Sequence, residues 1–258
     1  MQVDLAEKTA VVTGAGRGNG EAIGKRLGAN GASVVVNDID EAPAADTVSQ
    51  IEAAGGEGIA LTADVSDVVE VEAMFDRARD AYGGIDILVN NAGIADSVPM
   101  VDKPAPEKWS KAIDTHLRGA INCSTTAVEE MTERGSGSIV NITSIHTKNG
   151  VGMSPQYDVA KFGLLGLTKS LALELGRHGI RVNAVAPGWT NTRMTASFDD
   201  ATRERIVGQN PLGRFAEPEE IADVVLFLAS PASDYVNGHE LRVDGGQVPI
   251  DSWKERFE

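Results

Sequence analysis

The chain has 258 residues and a formal net charge of −15, and 42% of its residues are hydrophobic while 24% are charged. This composition is typical of a globular protein and excludes collagen, coiled coils and disordered chains. The acidic excess argues against nucleic-acid binding and against docking on anionic membranes, and it fits either an acidic surface or adaptation to high salt.

Short β-branched segments alternate with helical segments along the chain. Strands are predicted at residues 9–12, 33–36, 59–61, 85–89, 138–142 and 181–185, and most of them are continuous apolar runs. Such strands are buried on both faces, which is typical of a parallel sheet covered by helices. Helices are predicted at residues 20–30, 44–54, 68–82, 106–134, 154–178 and 218–229.

Particular residues mark where the helices begin and end. Asp67 and Glu217-Pro218 are predicted helix starts, because a carboxylate caps the first amide groups and proline suits the first turn. Gly83-Gly84 and Gly179 are predicted helix stops. Since no linker, repeat or low-complexity tract divides the chain, the βα alternation predicts one doubly wound α/β domain over residues 1–258.

Several kinds of site are excluded by what the chain lacks. Its single cysteine, Cys123, excludes an internal disulfide and a cysteine-based zinc site, and no His, Asp and Cys cluster has metal-ligand spacing. No apolar run approaches the roughly 18 residues that span a bilayer, and the N-terminus does not have the pattern of a signal peptide. We therefore expect a soluble, cytoplasmic protein with no metal and no membrane partner.

A glycine-rich turn, from Thr13 to Gly20, follows the first strand and opens a helix. A dinucleotide site needs this arrangement, because the backbone must approach a pyrophosphate closely and the helix N-terminus offers free N–H groups. A glycine turn without a ligand is the alternative, but its position between a strand and a helix favours binding.

Carboxylates at the ends of the next two strands bear on the choice of cofactor. Asp38 ends the second strand, where it can accept hydrogen bonds from an adenosine ribose and repel a 2′-phosphate, so NAD is favoured over NADP. Arg17 is the contrary signal, because a cation here could serve a 2′-phosphate; it could equally pair with surface carboxylates. Asp64 ends the third strand and could accept from the adenine amino group or cap a helix.

Tyr157 and Lys161 are spaced four residues apart on a predicted helix, so both point the same way. Ser144, which closes the fifth predicted strand, could deliver its hydroxyl beside that tyrosine. Taken singly, a Tyr-x-x-x-Lys pair is usually a solvated helix face and the serine a turn residue.

Together with the glycine turn, these residues resemble the short-chain dehydrogenase/reductase family over roughly residues 8–246. The resemblance implies a Rossmann-type domain with a parallel sheet of about seven strands. It is carried by five ordered motifs: Thr13-Gly14 with Gly18 and Gly20, Asn90-Asn91-Ala92-Gly93, the set Ser144, Tyr157 and Lys161, Pro187-Gly188 with Thr192, and Val243-Asp244-Gly245-Gly246.

The family resemblance implies a mechanism of hydride exchange with a nicotinamide. Tyr157 exchanges a proton with a substrate alcohol or carbonyl, and the Lys161 ammonium with a positive nicotinamide is expected to lower the pKa of that phenol from its usual value near 10. Ser144 holds the substrate oxygen. The implied NAD-binding residues are Gly14, Arg17, Gly18, Asn19, Gly20, Asp38, Ile39, Asp64, Val65, Asn91, Ala92, Gly93, Tyr157, Lys161, Pro187, Gly188, Thr190 and Thr192.

The chain departs from the family pattern at three positions near the site. His116 stands where relatives commonly have an asparagine that helps to lead protons from the lysine to solvent. It is assigned to the catalytic set as a proton relay titrating near neutrality, with an ordinary helix histidine as the alternative. Asn19 and Thr190 are smaller departures close to the cofactor.

The substrate is less well defined than the cofactor. The resemblance implies a substrate loop within roughly residues 188–215 and a mixed pocket that includes Ser144, His146, Met153, Tyr157 and Trp189. Such a pocket suits a sugar acid, a hydroxy acid, a cyclic alcohol or a steroid. The alternatives are a 3-oxoacyl thioester reductase and a catalytically silent NAD-binding regulatory protein. Relatives are usually homotetramers, although a dimer fits the same helices, and the segment 253–258 is expected either to cover a neighbouring pocket or to fray.

Overall fold

A seven-stranded parallel sheet forms the centre of the structure, a computed structural model that describes residues 3–95, 98–150 and 154–247. The strand order is β3-β2-β1-β4-β5-β6-β7, which confirms the predicted doubly wound α/β fold. The strands are β1 Thr9–Val12, β2 Ser33–Asp38, β3 Glu57–Thr62, β4 Ile87–Asn90, β5 Gly137–Ile142, β6 Ile180–Pro187 and β7 Glu240–Val243.

Helices cover both faces of this sheet. They are α1 Gly18–Gly28, α2 Glu41–Ala53, α3 Val68–Tyr82, α4 Pro106–Ile113, α5 Gly119–Arg134, α6 His146–Asn149, α7 Pro155–Leu175, α8 Asp200–Val207 and α9 Pro218–Ala229. The predicted end signals are confirmed at Asp67, whose side chain accepts from the N–H groups of Val69 and Glu70, and at Gly83, whose φ of 77° ends α3.

Two apolar layers pack against the sheet, one on each face. Ile23, Leu27 and Val225 from α1 and α9 lie in one layer, and Phe75 and Met131 from α3 and α5 lie in the other. The strands supply side chains to both layers, which is why their sequences are continuous apolar runs.

The strand order of the sheet reverses between β1 and β4, which are neighbours at its centre. From β1 the strands proceed outward to β3, and from β4 they proceed the other way to β7. In sheets of this type a crevice forms at the carboxyl ends of the strands where the order reverses. The glycine turn follows β1 directly at this point.

Some predicted boundaries are wrong in detail. The helix predicted over 106–134 is confirmed in its bounds, but it contains one wide, π-helical turn at Asp114–Arg118, after which the N–H of Gly119 donates to the carbonyl of Asp114 five residues back. β5 ends at Ile142 and β3 at Thr62, so Ser144 and Asp64 each lie two residues beyond the strand that they were predicted to end. Within the described ranges, no helix is long and apolar enough to cross a bilayer.

Candidate active site

One cavity of about 920 Å³ lies at the carboxyl ends of the strands and is lined by the glycine turn, Asp38, Ser144, Tyr157 and Lys161. Every residue that the sequence assigned to NAD binding lines it. The set is Gly14, Arg17, Gly18, Asn19, Gly20, Asp38, Ile39, Asp64, Val65, Asn91, Ala92, Gly93, Tyr157, Lys161, Pro187, Gly188, Thr190 and Thr192.

The glycine turn is held tightly against the segment that follows β4. The Thr13 hydroxyl accepts from the N–H groups of Asn91 and Ala92, both at 3.0 Å, and Nδ2 of Asn91 donates to the carbonyls of Thr13 and Gly14 at 2.9 and 3.0 Å. A Cβ atom on Gly14, whose φ is +60°, would lie 2.8 Å from Cα of Ala92. The turn therefore needs glycine for packing as well as for backbone conformation.

Asp38 is buried at the end of β2 with 8% of its surface exposed. Its Oδ2 accepts from the N–H of Gly16 at 2.9 Å and its Oδ1 from that of Asp40 at 3.1 Å. Arg17 pairs with Asp40 at 2.9 Å on the surface, which is the alternative that the sequence left open. Oδ1 of Asp64 accepts from both the N–H and the hydroxyl of Ser66, so this carboxylate organises the turn before α3.

Three buried polar atoms in this cavity have no hydrogen-bond partner among the described residues: Oδ1 of Asn19, Oγ1 of Thr190 and Nδ1 of His116. Leaving such atoms unpaired is costly, so their presence indicates a polar ligand. The close backbone packing at the glycine turn and these unpaired atoms fit the phosphates and ribose of a dinucleotide.

The Ser-Tyr-Lys set comes from two neighbouring parts of the fold, the segment after β5, which holds Ser144, and helix α7. Tyr157 and Lys161 lie on α7, and Nζ of Lys161 donates to the carbonyl of Ile142 at 2.6 Å, while it lies 5.6 Å from the centre of the Tyr157 ring. Ser144 is hydrogen-bonded to the Tyr157 phenol. The three functional groups therefore share one buried end of the cavity.

Burial has the largest effect on the pKa of Tyr157, while the lowering expected from the sequence also involves the charge of a bound nicotinamide. Burial raises the pKa of this phenol above 10.0, and the charge of Asp158 raises it further, while the hydrogen bond from Ser144 lowers it. Burial also lowers the pKa of Lys161 to about 7, so its cation is less persistent than expected. Desolvation is the dominant cause at both groups, since neither charged form keeps its hydration inside the cavity.

His116 lies on the wide turn between α4 and α5, and its ring is buried against Tyr157 with the ring centres 5.1 Å apart. Its Nε2 lies 3.0 Å from the carbonyl oxygen of Ile94. Burial, followed by the charge of Lys161, lowers the pKa of His116 to about 3. The expectation that this ring titrates near neutrality is therefore wrong.

The predicted substrate residues are only partly brought together. Ser144, Tyr157 and Trp189 line the cavity, and Trp189 packs edge-on against Phe198 with 5.4 Å between ring centres. His146 is not among the described residues that line it; the ring packs against Tyr157 instead, at 5.1 Å. Met153 lies outside the described residues, as do residues 253–258.

Other residues at the site were missed in the sequence. Lys111, Asp114 and Arg193 also line the cavity, and Asp158 holds His146 through a contact of 2.6 Å between its Oδ1 and Nδ1 of the ring. Asp158 directly follows Tyr157 in the sequence, but nothing in the pattern tells which way its side chain points. Among the described residues, no group of three or more metal-ligating side chains occurs.

The comparisons with known proteins agree with this geometry. Residues 14–247 match the family described as Enoyl-(acyl carrier protein) reductase. The chain is 40% identical to cis-4-hydroxycyclohexanecarboxylate dehydrogenase of Sinomonas cyclohexanicum, over 95% of this chain and 98% of that protein. It is also 40% identical to 3-oxoacyl-acyl-carrier-protein reductase FabG of Staphylococcus aureus, over 93% and 97%.

A solved structure extends this likeness. The gluconate 5-dehydrogenase of Burkholderia cenocepacia in complex with NADP and tartrate superposes with a TM-score of 0.90 at 33% identity, covering 95% of this chain and 97% of that one. The matched family, the two relatives and the shared fold all lead to the same assignment. The chain belongs to the short-chain dehydrogenase/reductase family of oxidoreductases, which act on small molecules with nicotinamide cofactors.

Proposed function

We propose that this protein is an NAD-dependent oxidoreductase that transfers hydride between a secondary alcohol and NAD⁺ and catalyses the reverse carbonyl reduction. The observation that carries this proposal is that the same cavity is lined at one end by Asp38 and the glycine turn and at the other by Ser144, Tyr157 and Lys161. The two ends provide for cofactor binding and for proton exchange in one continuous site.

Each residue of the Ser-Tyr-Lys set has a separate task. Bound NAD⁺ supplies the hydride acceptor and a positive charge near the phenol. Tyr157 takes the alcohol proton during oxidation and returns it during reduction. The Ser144 hydroxyl donates to the substrate oxygen and holds it beside the phenol. Lys161, fixed by the carbonyl of Ile142, is placed to bind the nicotinamide ribose and to favour the ionised phenol.

Asp38 supports NAD rather than NADP as the cofactor. Its carboxylate is fixed by two backbone N–H groups and lines the cavity, so a 2′-phosphate placed nearby would meet a negative charge. Arg17, the cation that could have offset this charge, already pairs with Asp40. The similar gluconate 5-dehydrogenase is in complex with NADP, so the likeness to that protein does not favour NAD. The preference for NAD is proposed from the Asp38 carboxylate alone.

A ring alcohol or a sugar acid is the substrate class that we favour within the wider set of hydroxy acids, cyclic alcohols and steroids. The named substrates of two similar proteins, a hydroxycyclohexane carboxylate and gluconate, each combine a secondary alcohol with a carboxylate. Lys111 and Arg193 line the cavity and could receive that anion, with Trp189 packing against the apolar part. A direct contact from His146 or Met153 remains a prediction.

A 3-oxoacyl thioester reductase is the second candidate, favoured by the 40% identity to FabG. An acidic carrier protein would meet a chain with a net charge of −15, which weakens the carrier-bound version and leaves a coenzyme A thioester. A catalytically silent NAD-binding regulator is the third candidate, and the assembled Ser-Tyr-Lys set argues against it.

A substrate panel separates these candidates. We expect absorbance at 340 nm to rise when the enzyme meets NAD⁺ with cis-4-hydroxycyclohexanecarboxylate, gluconate or related cyclic alcohols, and to rise far less with NADP⁺. Faster turnover of NADPH with acetoacetyl-coenzyme A would favour the reductase. Binding of NADH without turnover of any alcohol or carbonyl would favour the silent protein.

A homotetramer remains our expectation for the assembly. α7 exposes three large apolar side chains, Val159, Phe162 and Leu173, and α5 exposes one, Ile121. Such residues on neighbouring helices are typical of a buried helix–helix interface between subunits. Sedimentation velocity at micromolar concentration would distinguish tetramer, dimer and monomer.

A further inference from the structure

Two histidine rings pack edge-on against the phenol ring of Tyr157. His116 and His146 each lie with their ring centre 5.1 Å from that of the phenol, and they meet it edge-on at 88° and 76°. His116 is anchored through Nε2 to Ile94, and His146 through Nδ1 to Asp158. The phenol therefore packs against two anchored imidazoles, which restrict rotation and displacement of the ring.

The contact between His146 and Asp158 is short and largely shielded from solvent. Nδ1 lies 2.6 Å from Oδ1, and the two side chains are 12% and 15% exposed. Since a carboxylate only accepts hydrogen bonds, Nδ1 carries the proton and donates it. The backbone N–H of His146 also donates to the Ser144 hydroxyl at 3.2 Å, which connects this pair to the residue that holds the substrate oxygen.

The negative charge of Asp158 works against ionisation of the neighbouring Tyr157 phenol. Asp158 directly follows Tyr157 on α7, and its negative charge is one of the causes that raise the pKa of the phenol. An unpartnered carboxylate in this position would oppose the ionisation on which alcohol oxidation depends. Donation from His146 offsets part of this charge at its source.

We propose that His146 and Asp158 form a positioning pair for Tyr157, in which Asp158 fixes the imidazole against the phenol ring and His146 shields the phenol from the Asp158 carboxylate. The pair acts through Tyr157 and Ser144, so this inference rests on the proposed role of Tyr157 as the proton-exchanging group. It gives His146 a task on the protein itself, separate from any contact with substrate.

The charged and titratable side chains around Tyr157 come from several elements. They are His116 from the wide turn, His146 from α6, Asp158 and Lys161 from α7, and, farther along the cavity, Lys111, Asp114 and Arg193. His146 contacts Asp158 directly, so substitutions at these two positions test that contact.

Titration of the phenol tests the pair without requiring turnover. The chain has three tyrosines, so a protein labelled with ¹³Cζ-tyrosine gives three signals, and Tyr157→Phe identifies the one of interest. We expect His146→Phe, which keeps an aromatic ring beside Tyr157, to raise the pKa of Tyr157 by about one unit. Asp158→Asn should lower it by a similar amount, and the double variant should behave like Asp158→Asn alone.

The proposal would be overturned if the pKa of Tyr157 were the same in His146→Phe and in the wild type. It would also be overturned if His146→Phe raised this pKa as much in the Asp158→Asn background as in the wild type. Should His146→Phe fail to fold, His146→Leu replaces it, because it also removes the donor to the carboxylate: a rise in the pKa of Tyr157 supports the pair and no rise overturns it. Because this titration needs neither alcohol nor NAD, loss of the proposed oxidoreductase activity would appear separately in the substrate panel.

Discussion

The backbone N–H of Gly16 donates to Oδ2 of Asp38 across 2.9 Å and holds this carboxylate beside the glycine turn. The contact joins the two segments that we expect to bind the dinucleotide and to select NAD over NADP, the turn after β1 and the end of β2. A carboxylate held this way cannot easily swing aside to admit a 2′-phosphate, since its hydrogen bond would be lost.

Replacing the carboxylate should therefore change the cofactor preference. In Asp38→Ala we expect the ratio of kcat/KM for NAD⁺ over NADP⁺ to fall about a hundredfold, because a like-charge repulsion on the order of 4 kcal/mol, reduced by salt, is removed. Asp64→Asn is the matched control: it should weaken both cofactors alike. An unchanged ratio in Asp38→Ala would remove Asp38 as the selector.

Gly16 should be sensitive to a single added methyl group. A Cβ at this position would lie 2.7 Å from Oδ2 of Asp38 and 2.8 Å from Cβ of Pro43, so the carboxylate must move. We expect Gly16→Ala to raise the Kd for NADH about tenfold, measured by fluorescence. In the Asp38→Ala background the same substitution should raise the Kd by clearly less than tenfold, because the carboxylate that it displaces is absent and only the contact with Pro43 remains. Full additivity would contradict this explanation.

His116 should behave as a neutral residue over the working pH range. Since burial lowers its pKa to about 3, the ring does not change charge between pH 5 and 10. We expect His116→Asn to keep activity comparable to or higher than that of the wild type, with the shape of the pH profile unchanged. A loss confined to acidic or alkaline pH would instead identify a titrating relay.

Oxidation and reduction should respond to pH in opposite directions. Oxidation needs Tyr157 without its proton, and burial raises the pKa of this phenol, so kcat/KM for alcohol should increase from neutral into alkaline pH. Reduction needs the protonated phenol and should be retained at neutral pH and decline in alkali. Measuring both directions with one substrate pair checks the sign; an oxidation rate that is highest below pH 7 would contradict it.

The fold could be predicted from the sequence because the signals are local and repeated. Continuous apolar strands and end signals such as Asp67 and Gly83 gave the correct fold class and most helices. The cavity lining also followed, because motifs at the carboxyl ends of parallel strands necessarily meet at one edge.

Other features depend on packing that no local pattern encodes. The wide turn at His116 lies inside the helix that was predicted over 106–134, and no residue of that segment marks it. The pairing of His146 with Asp158 joins side chains twelve positions apart. The extent of burial is also absent from the sequence: burial raises the pKa of Tyr157 and lowers that of Lys161, whereas the pattern indicates only that the two residues are close together.

The central claim, that the Tyr157 hydroxyl exchanges the proton during hydride transfer, is tested most directly by comparing Tyr157→Phe with the wild type. The measurement is the rate of NADH formation at 340 nm with the best alcohol of the panel, alongside the Kd for NADH. We expect the rate to fall about 100- to 10,000-fold while the Kd stays within about twofold, because only the hydroxyl is removed. A Tyr157→Phe enzyme that oxidises the alcohol within tenfold of the wild-type rate would contradict the account.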